Sequence, residues 1–286
     1  MKFSVSSSLY YHINEPATLI CSTSCHGTEG QEIIDESLTT SREVTRTDLT
    51  VGLEANRLVK LEVLTPGHLS VDYQATVNTT LHLVDAARIK PKSSGAFEAV
   101  TLPYLNPSRY APADRMRAIA NDLFGGIRSP LAQALAVEDW LFENISYQIG
   151  TSNEQSWSLD TFESRAGVCR DFAHLGIAFC RALNIPARYV MVYAYYLIPQ
   201  DFHAVFEVHL DGSWYVIDGT RKAPLNGMIR IATGHDAGET AVACLFGDVR
   251  GQGIYVSTQL AVDEEELFVP LTRESLRGKG KMLVLG

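Results

Sequence analysis

The sequence predicts an α+β protein: an N-terminal all-β, sandwich-like domain followed by a core of helices packed on an antiparallel sheet. Three observations predict it. Apolar and polar residues alternate in short runs from Phe3 to about Val84, the period becomes helical after residue 112, and the helices are followed by consecutive strands rather than alternating strand–helix units. At 286 residues the chain exceeds the usual single domain, so two domains are expected.

Within the first stretch, Arg57-Leu58-Val59-Lys60-Leu61-Glu62-Val63 repeats with period two, and Gly or Pro falls between the runs. This is strand sequence, and it assigns residues 1–88 to the β domain. From about Lys90 to Asp114 four prolines (91, 103, 107 and 112) stand among Ser, Asn and Gly without periodicity, which places a linker over 89–111. Met116, Ile119, Ala120 and Leu123 then follow at helical spacing from Pro112-Ala113-Asp114 to a Gly125-Gly126 stop. Ser129-Pro130, a cap followed by proline at the first helical position, opens a second helix that runs through Val137 and Leu141. A third helix is expected from about Val168 to Leu183, and strands at 188–197, 203–210 and 214–217. Residues 112–272 are read as the core, including one or two further strands between Ala241 and Glu265. The basic end, 273–286, is expected to be mobile.

Composition narrows the function. With 46% hydrophobic and 20% charged residues the chain folds as a globular protein, and a net charge of −9 with no dense Lys/Arg run argues against nucleic acid and anionic membrane surfaces as partners. The N-terminus lacks the apolar block of a secretory signal, and no stretch reaches the ~18 apolar residues that span a bilayer, so a cytoplasmic location is expected. Five cysteines are an odd number in a chain this large; they argue against a disulfide framework and leave room for a reactive thiol.

Cys169 is the candidate nucleophile. A thiol works as thiolate, and at a pKa of about 8.5 little is ionised at neutral pH. In Gly167-Val168-Cys169-Arg170-Asp171 the cysteine opens a helix, where unpaired N–H groups and the dipole favour an anion. Downstream, His203 begins one strand and Asp218 ends the next, across a turn at Asp211-Gly212-Ser213. A short antiparallel hairpin makes those two positions neighbours, so Asp218 can hold one ring nitrogen of His203 while the other faces Cys169.

The stretch from Val168 to Thr220 resembles the transglutaminase-like superfamily, papain-related in core topology, in its Gly-x-Cys helix start, His-Ala strand start and Asp-x-Thr strand end. Ile185-Pro186-Ala187-Arg188-Tyr189-Val190, Leu105-Asn106-Pro107-Ser108-Arg109-Tyr110 and Gly234-His235-Asp236-Ala237-Gly238-Glu239-Thr240-Ala241 resemble the bacterial branch with an N-terminal β domain. The resemblance implies a papain-like, transglutaminase-like core and a cysteine protease or amidase that forms a thioester on a peptide or protein substrate. It departs from the family at Val205, where tryptophan is frequent, and at Gly219, where proline is.

Other residues have plainer readings. Cys180 and Cys244 lie in apolar runs and read as packing. Cys21, Cys25 and His26 lack a second close pair with zinc-site spacing, so no metal or cofactor is expected. His174 lies off the Cys169 face of its helix, and His209 is too far along its strand to join His203. Asp171 suits a helix start, and Arg170 an ion pair or solvent. Trp157 and Tyr147 are candidates by position for a second oxyanion donor, beside the Cys169 N–H. Two other functions compete: protein-glutamine transglutaminase or deamidase, and a peptide-binding module without catalysis. The absence of an EF-hand calcium loop and of further β domains favours hydrolysis over cross-linking.

Overall fold

The alternation in the first eighty residues becomes seven strands: β1 (Lys2–Ile13), β2 (Ala17–Cys21), β3 (Gln31–Thr40), β4 (Thr45–Val51), β5 (Asn56–Val63), β6 (Gly67–Thr79) and β7 (His82–Asp85). Helices α1 (Ala113–Phe124), α2 (Pro130–Asn144), α3 (Ser158–Ser164) and α4 (Cys169–Ala182) follow, with β8 (Ser146–Tyr147) and β9 (Ala166–Gly167) between them. Then come β10 (Ala187–Ala194), β11 (Phe202–Leu210), β12 (Ser213–Ile217) and β13 (Met228–Gly234). The chain closes with β14 (Ala243–Phe246), β15 (Val249–Leu260), α5 (Arg273–Gly278) and β16 (Lys281–Val284). The computed structural model describes residues 1–90 and 97–285; the part of the expected linker at 91–96 and the last residue of the expected tail lie outside them. Among the described residues no helix is long and apolar enough to cross a membrane.

Two four-stranded sheets, in the orders β15-β1-β6-β3 and β14-β2-β5-β4, form the β domain. Every second residue of β1 from Phe3 to Ile13 is buried, as the alternation requires, and Leu9, Ile13, Leu19, Leu61 and Leu69 share one apolar core. The second half is built on an antiparallel sheet ordered β12-β11-β10-β13. Helix α4 covers one face, with Ile177 and Phe179 in the same core as Ala204 and Phe206 of β11. The other face carries Val190, Val192, Val205 and Val216, covered by Leu271, Leu276 and Leu283. With both faces covered, β10 is buried along its whole length and, Arg188 apart, is an apolar run.

Two expectations are corrected. β14 and β15 do not extend the core; they pair with β2 and β1, in register from Phe3↔Leu260 to Ile13↔Val249, and complete the N-terminal sandwich. Without them β1 and β2 would be open sheet edges with rows of unpaired backbone groups. Cys244, on edge strand β14, is therefore exposed rather than packed. The segment from residue 273 is not loose either. It forms α5 and then β16, which pairs with β7 from Lys281↔Asp85 to Val284↔His82 and buries Leu283 completely. Apolar Leu276, Met282 and Leu283 outweigh the basic residues that suggested mobility. The sequence reading also missed α3, too short to show a period, and β13, which completes the central sheet.

β13 is the edge of that sheet, and side chains from the β domain satisfy it. Gln31 accepts from Arg230 N–H (2.7 Å) and donates to Arg230 C=O (2.8 Å), and Asn56 does the same for Thr233 at 2.9 and 2.7 Å. Each amide thus stands in for a strand residue. Beside them Glu207, fully buried, accepts from both Arg188 (2.7 Å) and Arg230 (2.7 Å), so its charge is matched.

Gly176 brings α4 against β11. A Cβ there would lie within 2.6 Å of Phe206 Cζ. Alanine would gain about 1 kcal/mol of helix propensity, but the overlap with a packed ring costs about 1–3 kcal/mol. Gly176→Ala is therefore expected to lower unfolding stability in urea, and Phe206→Leu added to it to recover part of the loss.

Candidate active site

Three local devices present Cys169. Val168 is the N-cap of α4, and its N–H donates to Asp171 Oδ2 at 2.8 Å, so the carboxylate folds back over the helix start. Gly167 makes room for this, because a Cβ there would meet Asp171 Cβ at 2.7 Å. The first hydrogen bond of the helix start runs from Asp171 N–H to Val168 C=O at 2.9 Å, with Phe172 N–H next at 3.1 Å. The N–H of Cys169 lies ahead of both and has no intrahelical acceptor. Asp171 is thus structural, as its position suggested, and Arg170 donates to Asn153 C=O and lies over the Tyr110 ring.

The hairpin turns at Asp211 and Gly212, both with positive φ (50° and 89°), between Leu210 and Ser213. Its last ladder pair is Phe206↔Ile217, and beyond it His203 and Asp218 meet through side chains: His203 Nε2 lies 3.0 Å from Asp218 Oδ2. The other carboxylate oxygen accepts from Thr220 N–H at 2.9 Å and Thr220 Oγ at 2.7 Å. That is the physical content of Asp-x-Thr: the threonine fixes the carboxylate that fixes the imidazole. Gly219 between them passes α2 closely, where a Cβ would meet Leu141 Cδ1 at 2.9 Å. Val205 is buried beneath the C-terminal segment with Val216 and Leu283, so its substitution is accommodated there.

Electrostatics make the group a unit. Burial alone would lower the His203 pKa from 6.5, but the Asp218 charge and hydrogen bond, with the nearby Cys169 sulfur, outweigh it and push the imidazole up to about 10. Burial would raise Asp218, yet the His203 charge and the Thr220 hydrogen bonds hold it below the usual carboxylate value. His203 Nδ1 is buried and has no conventional hydrogen bond, which leaves it for the Cys169 side. The remaining cysteines are differently placed: burial pushes Cys21 and Cys25 up to about 12, burial raises Cys180 further, and Cys244 is exposed at a sheet edge far along the chain from any such imidazole.

Tyr147 joins this group. β8 and β9 pair in parallel, with Tyr147 beside Gly167, two residues before the cysteine. Burial, followed by the charge and hydrogen bond of Cys169, raises the phenol pKa, so its O–H stays protonated next to the sulfur. Its ring lies under Lys222 Nζ, 4.3 Å from the centroid, and Asp201 acts on it from the His203 side. Position in the chain had not separated Tyr147 from Trp157, which instead caps α3 and packs under Arg115. His174 lies apart, stacked on Tyr110 at 4.9 Å and accepting from Ala237 N–H at 3.1 Å; burial drives its pKa down to about 3. The sequence reading does not single out Lys222 or Asp201; it names Thr220 only through the Asp-x-Thr pattern, a readable local hydrogen-bond signal.

Fold and site together define a cysteine-based enzyme of papain-like architecture. Residues 117–219 match the core model of the transglutaminase-like superfamily, and residues 1–94 match the bacterial transglutaminase N-terminal domain. A crystal structure from Cytophaga hutchinsonii, of a protein provisionally named a cysteine protease, is 37% identical and superposes with a TM-score of 0.94, covering 100% of this chain and 98% of that one. An uncharacterized protein of Mycobacterium leprae is 28% identical over 158 residues, which span 52% of this chain and 56% of that protein. The chain belongs to the transglutaminase-like superfamily, in the bacterial group that carries an N-terminal β domain.

A folded-state imidazole raised from 6.5 to about 10 stabilises the fold fully below pH 6.5 and loses that contribution as pH rises through 10. A depressed Asp218 contributes above its ordinary 3.8 and loses its share as pH falls below that. The stability difference between wild type and Asp218→Asn is therefore expected to be largest between these limits and to shrink toward pH 10. In the variant burial acts on His203 with its main opponent gone, so its NMR titration should fall below 6.5; an unshifted curve would show that the carboxylate does not hold the charge.

Proposed function

We propose that the protein is a thiol hydrolase of peptide or amide bonds, with Cys169 as nucleophile, His203 as proton carrier and Asp218 as the group that orients and charges the imidazole. One observation carries this reading: a fully buried imidazole is braced by Asp218 on one nitrogen and turned toward the cysteine that opens α4. With the proton on His203, the Cys169 thiolate adds to the substrate carbonyl carbon. The Cys169 N–H and the Tyr147 O–H, both beside the sulfur, would serve as donors to the resulting oxyanion. His203 then protonates the departing amine as the carbon–nitrogen bond breaks, which leaves a thioester. Water enters, gives its proton to His203 and adds to the thioester carbonyl, and collapse releases the acid and returns the proton to the sulfur side. The provisional name of the Cytophaga hutchinsonii relative agrees with this chemistry.

The resolving nucleophile is tested by mass spectrometry of a glutamine-containing peptide library in H₂¹⁸O, with and without an added primary amine. Cleaved peptides carrying one ¹⁸O are expected; amine adducts or intact deamidated glutamine would move the assignment to transglutaminase or deamidase. Cys169→Ala should abolish turnover, and a variant that keeps partner binding and cellular role would identify a binding module instead. Tyr147→Phe removes one oxyanion donor and is expected to lower kcat by about 10²-fold with KM little changed.

A further inference from the structure

We propose that Lys222 determines substrate charge in this cleft, selecting substrates with a carboxylate beside the acyl group under attack; the proposal rests on Cys169 being the nucleophile. Two adjacent basic residues follow the Asp218 turn, and the structure treats them oppositely. Arg221 is committed to the protein, paired with Asp139 of α2 and with Glu274 of α5 at 3.4 Å. Lys222 is exposed, and among the described residues its ammonium has no carboxylate within ion-pair distance. It is held instead over the Tyr147 ring at 4.3 Å, on the phenol that adjoins Cys169. A cation–π contact positions an ammonium without neutralising it. The charge therefore remains available to a ligand, within a side chain's reach of the reacting sulfur.

A charge of the other sign lies near the same phenol. Asp201 lies two residues before His203; among the described residues its carboxylate accepts only the N–H of Phe202, at 2.7 Å, and it acts on both His203 and Tyr147. Tyr147 thus feels an ammonium and a carboxylate, and among the described residues neither of these has an ion-pair partner. A substrate carboxylate is attracted near Lys222 and repelled near Asp201, so charge favours one placement of the substrate over the other.

Iodoacetate and iodoacetamide test this without knowledge of the substrate. Each loses iodide to a thiolate and leaves a thioether, and the two differ by one negative charge. The ratio of their rates at Cys169, with the modified residue identified by peptide mapping, is expected to fall about five-fold in Lys222→Met, which keeps the apolar stem over the ring. Lys222→Arg should retain the ratio, Asp201→Asn should raise it, and 1 M salt should narrow the gap between wild type and Lys222→Met. A Lys222→Met ratio within two-fold of wild type, with Cys169 still the residue modified, would overturn the proposal and leave the nucleophile standing. If another cysteine reacts first, the assignment of Cys169 fails, and this proposal with it.

Discussion

A charged imidazole with almost no access to water is the constraint around which this molecule is arranged. Desolvation of His203 opposes the charge, and one carboxylate at 3.0 Å reverses that balance. Everything else at the site secures the carboxylate or brings the sulfur to the ring. Thr220 occupies the second oxygen of Asp218, the tight turn at Asp211-Gly212 fixes which residues of β11 and β12 face each other, and Gly219 lets the Asp218 segment press against α2. Behind Asp218, Glu138 is buried beside Arg273 of the C-terminal segment in a cavity of about 140 Å³, so residues from both ends of the catalytic half surround the same carboxylate.

The hairpin could be read from sequence because its information is local. The turn, two short strands and the helix start at Cys169 are each specified within a dozen residues, and a period-two register leaves little freedom in how they meet. What was illegible is nonlocal. Nothing in the residues around Val249 says that they pair with β1 rather than with the central sheet, since an amphipathic strand fits either. Tyr147 was indistinguishable from Trp157 because the deciding contact is a two-residue parallel pairing, too short to leave a pattern. Lys222 and Asp201 escaped for a related reason: an unpaired charge is defined by what surrounds it in space, which sequence does not show.

The two flanking motifs around the core now have a common physical explanation. Arg181 of α4, almost wholly buried, donates to Asn106 C=O (3.0 Å), Ser108 Oγ (3.1 Å) and His235 C=O (2.7 Å). Asp236 accepts from Tyr110 N–H at 3.0 Å, and His174 on the same helix stacks on Tyr110 and accepts from Ala237. Segments 105–110 and 234–241 therefore converge on the helix that carries the cysteine and satisfy its buried polar groups. Their residues need no contact with substrate to matter; anchoring α4 is reason enough.

The pairing of β15 with β1 has a consequence for how the protein is made. On the ribosome β1 emerges first, but its partner Val249–Leu260 follows only after the whole catalytic half, a delay of roughly ten to fifty seconds at 5–20 residues per second. For that interval the nascent sandwich exposes a long alternating edge of the kind that invites pairing between polysome neighbours. Chaperone shelter, or a slow stretch of codons ahead of β14, would matter more here than in a protein whose first domain closes on itself, and a truncated transcript would leave a sticky product rather than a smaller working one.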